Sequence, residues 1–363
     1  MSDFEKFQKL LPRLGNPHEG LKCVHVAGTN GKGSTCVFLR AILKAAGQPG
    51  VGMYISPHLE RDNERISIDG TDISDEDFAE LSRQVLDAWH SIFADEPIYF
   101  NLLTAVMFLY FKQRNVSTAI LEVGLGGRTD QTNVITNPLC SVIAQIGLDH
   151  TAFLGGTAEL IAAEKAGIIK PNCPVVFAAQ SPEVERVFIE RAEALNAPYY
   201  RAEPLPPGTP LSLRGAYQFA NAGLAAKAAE LLGIGQSAIA EGLQSAVWRG
   251  RFEVFELAER NVTVVLDGGH NPNGAEALAR SLAAEFPGQK FTFLFNARED
   301  KDRAGMLAAV APLAKLVIRV NAGELINALE MLLDEFAESG EHQIVCIFGT
   351  LYQVNDVLKY FDN

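Results

Sequence analysis

Short apolar runs alternate along this chain with longer amphipathic stretches, a rhythm that predicts an α/β protein built mainly on parallel strands. Phe4, Phe7, Leu10, Leu11 and Leu14 recur at helical spacing over residues 3–14 and stop at Gly15 and Pro17, which predicts a short N-terminal helix. Val24 and Val26, with the apolar residues just before them, read as a buried strand, and CVFLRAILKAAG reads as a helix closed by Gly47. A strand in PGVGMYI ends at Ser56-Pro57 and is followed by the polar segment SPHLERDNERISIDG and a second β pair. Ser74 is the expected N-cap of a surface helix, and YFNLLTAVMFLYFKQ is apolar enough to be a core helix. STAILEV and CSVIAQIG are short buried strands, the first stopping at Glu122 and the second running into Leu148, Asp149 and His150. Thr157 is the expected cap of a helix that carries Glu164 and Lys165 and ends near Gly167. After PVVFAA, a helix from about Pro182 to Leu195, the proline-rich EPLPPGTP and an alanine-rich helix, residues 245–256 read as a link. From Val262 the pattern restarts as VTVVLD, KFTFLFN, KLVIRV and HQIVCIFG, each followed by a helical stretch.

Two domains are therefore expected, over residues 1–248 and 249–363, and a prior of ~150 residues per domain agrees for a chain of 363. The first reads as a nucleotide-binding domain with a mostly parallel sheet, the second as a smaller Rossmann-like α/β domain. With 48% hydrophobic and 21% charged residues the composition is that of a globular protein, and the formal net charge of -13 argues against nucleic-acid or anionic-membrane partners. Cys23, Cys36, Cys140, Cys173 and Cys346 are odd in number and scattered, which predicts neither a disulfide framework nor a zinc site. With no signal-like apolar core and no run approaching ~20 apolar residues, a cytoplasmic location is expected.

The chemistry starts at VHVAGTNGKGST. Gly28, Gly31 and Gly33 allow a tight turn that points backbone N–H groups inward, Lys32 adds an ammonium, and Ser34 or Thr35 adds a hydroxyl at the start of a helix. The expected ligand is a nucleoside triphosphate with its metal. Only two residues separate Gly28 from Gly31, and Gly33 replaces the usual hydroxyl residue after the lysine, so a generic kinase or GTPase loop is a poor fit. A ligand-free turn would explain the glycines but not Lys32 beside two hydroxyls. Glu122, His150 or the Glu164-Lys165 pair would singly be a solvated carboxylate, a structural histidine and surface charge. At successive strand ends in a parallel sheet, Lys32, Ser56, Glu122 and His150 share one edge, which suits Mg2+ bridging nucleotide phosphates.

The blocks HVAGTNGKGST, SPHLERDNERI, LEVGLGGRTDQTN, LDHTAFLGGTAELIAAEKAGI, GRFEV and DGGHNPNGA resemble, in order and spacing, the family of folylpolyglutamate synthase and dihydrofolate synthase within the Mur ligase group. The resemblance runs from LGNP to FGTLYQVNDV. It implies an ATP-dependent ligase that activates a folate or dihydropteroate carboxylate as an acyl phosphate and joins L-glutamate to it. It implies ATP contacts from Thr29, Asn30, Gly31, Lys32, Gly33, Ser34, Asn221, Arg251 and Asp267, with His270 near the phosphates. Ser56, Glu122 and His150 match Mg2+ ligands, and Lys165 matches a lysine carried as a carbamate. Phe100, Asn101, Thr129, Asp130 and Gln131 align with the pterin pocket, although this family usually has Glu at Asn101 and a small residue at Gln131. A monovalent-cation requirement is left open by the resemblance, and a monomer is expected.

Two rivals fit fewer residues. A cell-wall Mur ligase carries a separate N-terminal domain, whereas about twenty residues precede the first expected strand here. A nucleotide-binding regulator without catalysis would not need Lys32, Glu122, His150 and Lys165 together, and ATP binding without substrate-dependent ADP release would mark it.

Overall fold

The computed structural model describes residues 1–339 and 341–362 and divides into two compact units. Met1–Pro210 with Ala220–Ala246 forms the first, and Leu211–Phe219 with Val247–Asn363 the second.

The first unit is built on eight strands: β1 (Cys23–Ala27), β2 (Val51–Tyr54), β3 (Ile66–Ile68), β4 (Thr71–Asp72), β5 (Thr118–Glu122), β6 (Cys140–Ile143), β7 (Val175–Ala178) and β8 (Tyr199–Ala202). Their order is β4-β3-β2-β5-β1-β6-β7-β8, with β3 and β4 antiparallel at one edge and the rest parallel. β1, β2, β5, β6 and β7 are buried along their whole length, as expected for strands covered on both faces. Helices α1 (Asp3–Leu10), α2 (Lys32–Ala45), α3 (Asp75–His90), α4 (Tyr99–Gln113), α5 (Thr151–Leu154), α6 (Ala158–Lys165), α7 (Pro182–Ala194), α8 (Gln218–Leu231) and α9 (Gln236–Ser245) accompany it. Ser74 and Thr157 accept from the N–H groups of Asp77 and Leu160 and so cap α3 and α6. The helix expected over 3–14 stops at Leu10 and continues as a 3-10 turn through Pro12, ending at Gly15 with φ 72°. Strand β8 escaped the sequence reading because its Tyr-Tyr-Arg-Ala run lies half exposed at a sheet edge.

The second unit contains β9 (Glu253–Leu257), β10 (Val262–Asp267), β11 (Phe291–Phe295), β12 (Ala314–Arg319) and β13 (Gln343–Phe348), ordered β12-β11-β13-β10-β9. Its helices are α10 (Pro272–Glu285), α11 (Arg303–Val310), α12 (Leu325–Ser339) and α13 (Val354–Asp362). Two expectations are corrected here. The expected link over 245–256 contains β9, an antiparallel edge strand on β10. The boundary is also not a single cut at 248/249, because residues 211–219 belong to the second unit. Tyr217 donates to Asp267, Ser281 Oγ accepts from Ala216 N at 2.9 Å, and Arg214 pairs with Glu285.

Among the described residues no helix is long and apolar enough to cross a membrane. All five cysteines are buried and free.

Candidate active site

Strand β1 delivers the chain into the Gly28–Ser34 loop at the centre of the first sheet. A Cβ at Gly28 would lie 2.7 Å from that of Ala144, and one at Gly31, where φ is 87°, would lie 2.2 Å from Asn221 Oδ1. Only glycine fits at either place. The N–H groups of Thr29 and Asn30 both reach the Gln145 carbonyl, at 2.8 and 3.2 Å, and Thr29 Oγ1 donates to Gly147 O at 3.1 Å. The loop is thereby pinned to the segment after β6. Gly31 stands at the N-cap of α2, and no side chain caps that helix. Lys32 opens the helix, so a cation and the positive helix end occupy one place. Of the two candidate hydroxyls, Thr35 donates to Gly31 O at 2.8 Å within the helix, and Ser34 is buried in the first turn.

Glu122 ends β5 and is 3% exposed. One oxygen accepts from Ser56 N at 3.1 Å and the other lies 3.9 Å from Lys32 Nζ, which itself donates to Thr29 O at 3.2 Å. Ser56, Glu122 and Lys32 thus come together at the edge expected from topology. Lys165, at the end of α6, reaches the same loop from below and donates to Gly28 O at 2.8 Å. Burial, assisted by the nearby Lys32 charge and opposed by Asp149 and Asp130, lowers its pKa to about 7. Its neighbour Glu164 points elsewhere and pairs with Arg128. His150 has left-handed backbone, φ 50°, stands at the N-cap of α5, and carries an exposed ring 3.9 Å from Asp149.

Among the described residues no group of three or more His, Cys, Asp and Glu side chains is arranged to hold a metal ion. The Ser56 hydroxyl and Glu122 carboxylate are hard oxygen donors beside the phosphate loop. They fit a Mg2+ held largely by nucleotide oxygens and water rather than by an all-protein cage.

The expected pterin residues divide. Phe100 at the start of α4 lies over Gly124, where a Cβ would stand 2.5 Å from the ring, and its ring centroid is 6.0 Å from that of Tyr54. Thr129 is exposed. Asn101, Asp130 and Gln131 are all buried. Asn101 is 0% exposed and its amide points to Asp3 O at 3.4 Å. Asp130 takes Gly124 N and Leu125 N on one oxygen, at 2.9 and 3.0 Å, and Thr132 N and Oγ1 on the other. A carboxylate has about four acceptor sites, so this one is filled by its own loop. Burial raises its pKa while the four donors favour the charged form.

In the second unit Asp267 is also buried. Oδ2 accepts from Tyr217 OH at 2.6 Å and Phe252 N at 3.0 Å, and Oδ1 from Gly269 N at 2.7 Å. Its carboxylate ties together the segments around Tyr217, Phe252 and Gly269. Arg251 lies between two left-handed residues, Gly250 (φ 70°) and Phe252 (φ 48°), with its guanidinium over Gly268, where a Cβ would come within 2.1 Å of Nη1. His270 Nδ1 is 3.1 Å from Gly268 O.

One residue escaped the sequence reading. His25, 0% exposed in β1, places Nε2 2.8 Å from Thr132 Oγ1. The signal was a polar residue inside the apolar run CVHVA.

Residues 26–197 match the Mur ligase middle domain, and residues 250–339 match the Mur ligase glutamate ligase domain. A Bacillus subtilis dihydrofolate synthase/folylpolyglutamate synthase is 35% identical over 98% of this chain and 94% of its own length. The solved Mycobacterium tuberculosis folylpolyglutamate synthase, complexed with ADP and AMPPCP, superposes with a TM-score of 0.88 at 28% identity, covering 99% of this chain and 95% of that one. The Thermotoga maritima folylpolyglutamate synthase gives a TM-score of 0.82 at 33% identity, covering 99% and 93%.

Proposed function

The chain belongs to the Mur ligase family, in the group of folylpolyglutamate and dihydrofolate synthases, and we infer that it joins L-glutamate to a folate or dihydropteroate carboxylate, driven by ATP. It is an ATP-dependent amide-bond-forming ligase. The observation that carries the reading is the meeting of Lys32, Glu122, Ser56 and Lys165 around a glycine loop at the head of an uncapped helix.

In this scheme an oxygen of the substrate carboxylate attacks the γ-phosphorus and the bond to ADP breaks, leaving an acyl phosphate. The glutamate amine then attacks the acyl carbon, a proton is lost from nitrogen, and phosphate departs. The α2 amides and Lys32 neutralise charge on the transferring group without reorganising, which is where most of the acceleration in phosphoryl transfer arises. Mg2+, when bound, supplies further charge neutralisation on the phosphates, and Ser56 and Glu122, with His150, are the residues proposed to hold it. Ser34 and Asn221 are assigned to the nucleotide, the latter because its amide lies against Gly31. Arg251 and His270 are assigned to the phosphates, and Asp267, which also accepts from Phe252 N and Gly269 N, to the ribose or metal region of ATP. Phe100 is assigned to the flat pterin ring.

A carbamate on Lys165 is part of the proposal. The buried amine, with a pKa near neutrality, can attack CO2 through its lone pair, form an N–C bond and lose a proton, turning an ammonium into an anion. Crystallography of active enzyme kept in bicarbonate that showed an unmodified lysine would refute it. We also assign the enzyme to the cytoplasm as a monomer, to be read by size-exclusion with light scattering.

The test of function supplies ATP, Mg2+ and glutamate with dihydropteroate, tetrahydrofolate or neither, and identifies products by mass. A glutamylated pterin with stoichiometric ADP is expected; no turnover with either substrate refutes the folate assignment.

A further inference from the structure

A buried chain of hydrogen bonds leads to the backbone under the Phe100 ring from a residue the scheme above leaves unused. His25 Nε2 meets Thr132 Oγ1 at 2.8 Å, Thr132 meets Asp130 through both N and Oγ1, and Asp130 closes on the N–H groups of Gly124 and Leu125. Gly124 is the floor on which the Phe100 ring lies.

The direction of each proton follows from chemistry. A carboxylate only accepts, so the Thr132 hydroxyl proton points to Asp130. Thr132 Oγ1 then offers a lone pair to His25, which places the imidazole proton on Nε2 and leaves Nδ1 bare. Nδ1 is buried and has no partner. Burial, and secondarily the Lys170 charge, holds the ring neutral by depressing its pKa to about 3. An unpaired buried acceptor costs stability, so packing alone favours an apolar residue at this position. Something other than packing accounts for a histidine here.

We propose that His25 is a positioning residue for the pterin-bearing substrate: as a neutral Nε2–H donor in β1 it fixes Thr132 and Asp130, and through them the 124–130 loop against which the Phe100 ring of α4 lies. The proposal rests on the folate-ligase reading. It also explains why Asp130 is buried, since its carboxylate acts on the loop rather than on the ligand.

β1 also leads into the phosphate loop, so a merely structural histidine would affect ATP and pterin alike. The test therefore separates the two. His25→Leu, His25→Gln, Thr132→Val and the His25→Leu/Thr132→Val double variant are compared by steady-state kinetics with each substrate varied in turn, by equilibrium binding of dihydropteroate and AMPPCP, and by thermal unfolding. His25→Leu is expected to raise KM and Kd for the pterin substrate about tenfold, the worth of one well-placed buried hydrogen bond, and to leave the ATP terms within about twofold. Its unfolding midpoint should hold or rise. His25→Gln, whose amide can donate to Thr132, should recover most of the loss, and the double variant should be no worse than Thr132→Val. Unchanged pterin binding in His25→Leu, or an equal loss on both substrates that Gln does not recover, overturns the proposal. Absence of pterin turnover by the unmodified enzyme would instead sink the substrate assignment itself.

Discussion

The loop after β1 and the loop after β10 are near twins as sequences: a buried strand, two or three glycines, polar residues and a helix, HVAGTNGKGST against VLDGGHNPNGA. Folded, they differ at the start of the helix that follows, although Thr29 N and Asn30 N in the first are taken by Gln145 O. In the first, α2 starts at a left-handed Gly31 with no side-chain cap and with Lys32 in its first position. In the second, Asp267 takes the N–H of Gly269, Asn271 caps α10 by accepting from Gly274 N at 2.8 Å, and Pro272 removes another donor. A glycine-rich turn is thus an anion site only where its own side chains leave donors to give and a cation stands by. The second loop presents the neighbouring Arg251 guanidinium, for which Gly268 makes room.

The largest test of that contrast is Lys32→Met. The kcat/KM for ATP should fall on the order of a thousandfold, with little change in thermal stability, because the side chain acts on charge rather than packing. A loss below about tenfold would mean the first loop is no more a phosphate site than the second. Asp267→Asn should cost about 2–3 kcal/mol in denaturant unfolding, since a buried acceptor of three donors loses one oxygen. If stability held while only the KM for ATP rose, Asp267 would serve the nucleotide alone and the contrast would weaken. Gly31→Ala is smaller, about 1–2 kcal/mol from the left-handed backbone alone, with a loss of ATP binding added by the clash with Asn221.

The smallest effect lies in the strand below the first loop, since VTVVLD below the second carries no histidine. Unfolded His25 binds a proton near pH 6.5, while the folded ring does so only at about 3. Between those values the unfolded state holds more protons, so stability falls as pH falls, by about 1 kcal/mol from pH 6.5 to 5.5. That share of the pH dependence should vanish in His25→Gln, as read by urea titrations across the range.

Much of this was legible beforehand. Strand runs such as STAILEV and CSVIAQIG are apolar enough to be parallel and doubly covered, and topology then puts their ends on one edge, so Lys32, Ser56 and Glu122 could be grouped without coordinates. The fate of individual polar side chains was not legible. Asp130 and Asp267 carry the same charge as Glu122 and also lie at or after strand ends, yet each is bonded by three or more donors from its own surroundings. Spacing in the chain does not say which donors will lie within 3 Å.

By itself the sequence determined the two α/β units, the phosphate loop and its lysine, because burial periodicity and glycine conformations are local properties. Only the tertiary structure decided that 211–219 joins the second unit, that Asn101, Asp130 and Gln131 are buried, and that His25 Nε2 meets Thr132 Oγ1. Those outcomes depend on which hydrogen-bond donors and acceptors distant segments bring together. Such pairing is settled only when the chain has folded.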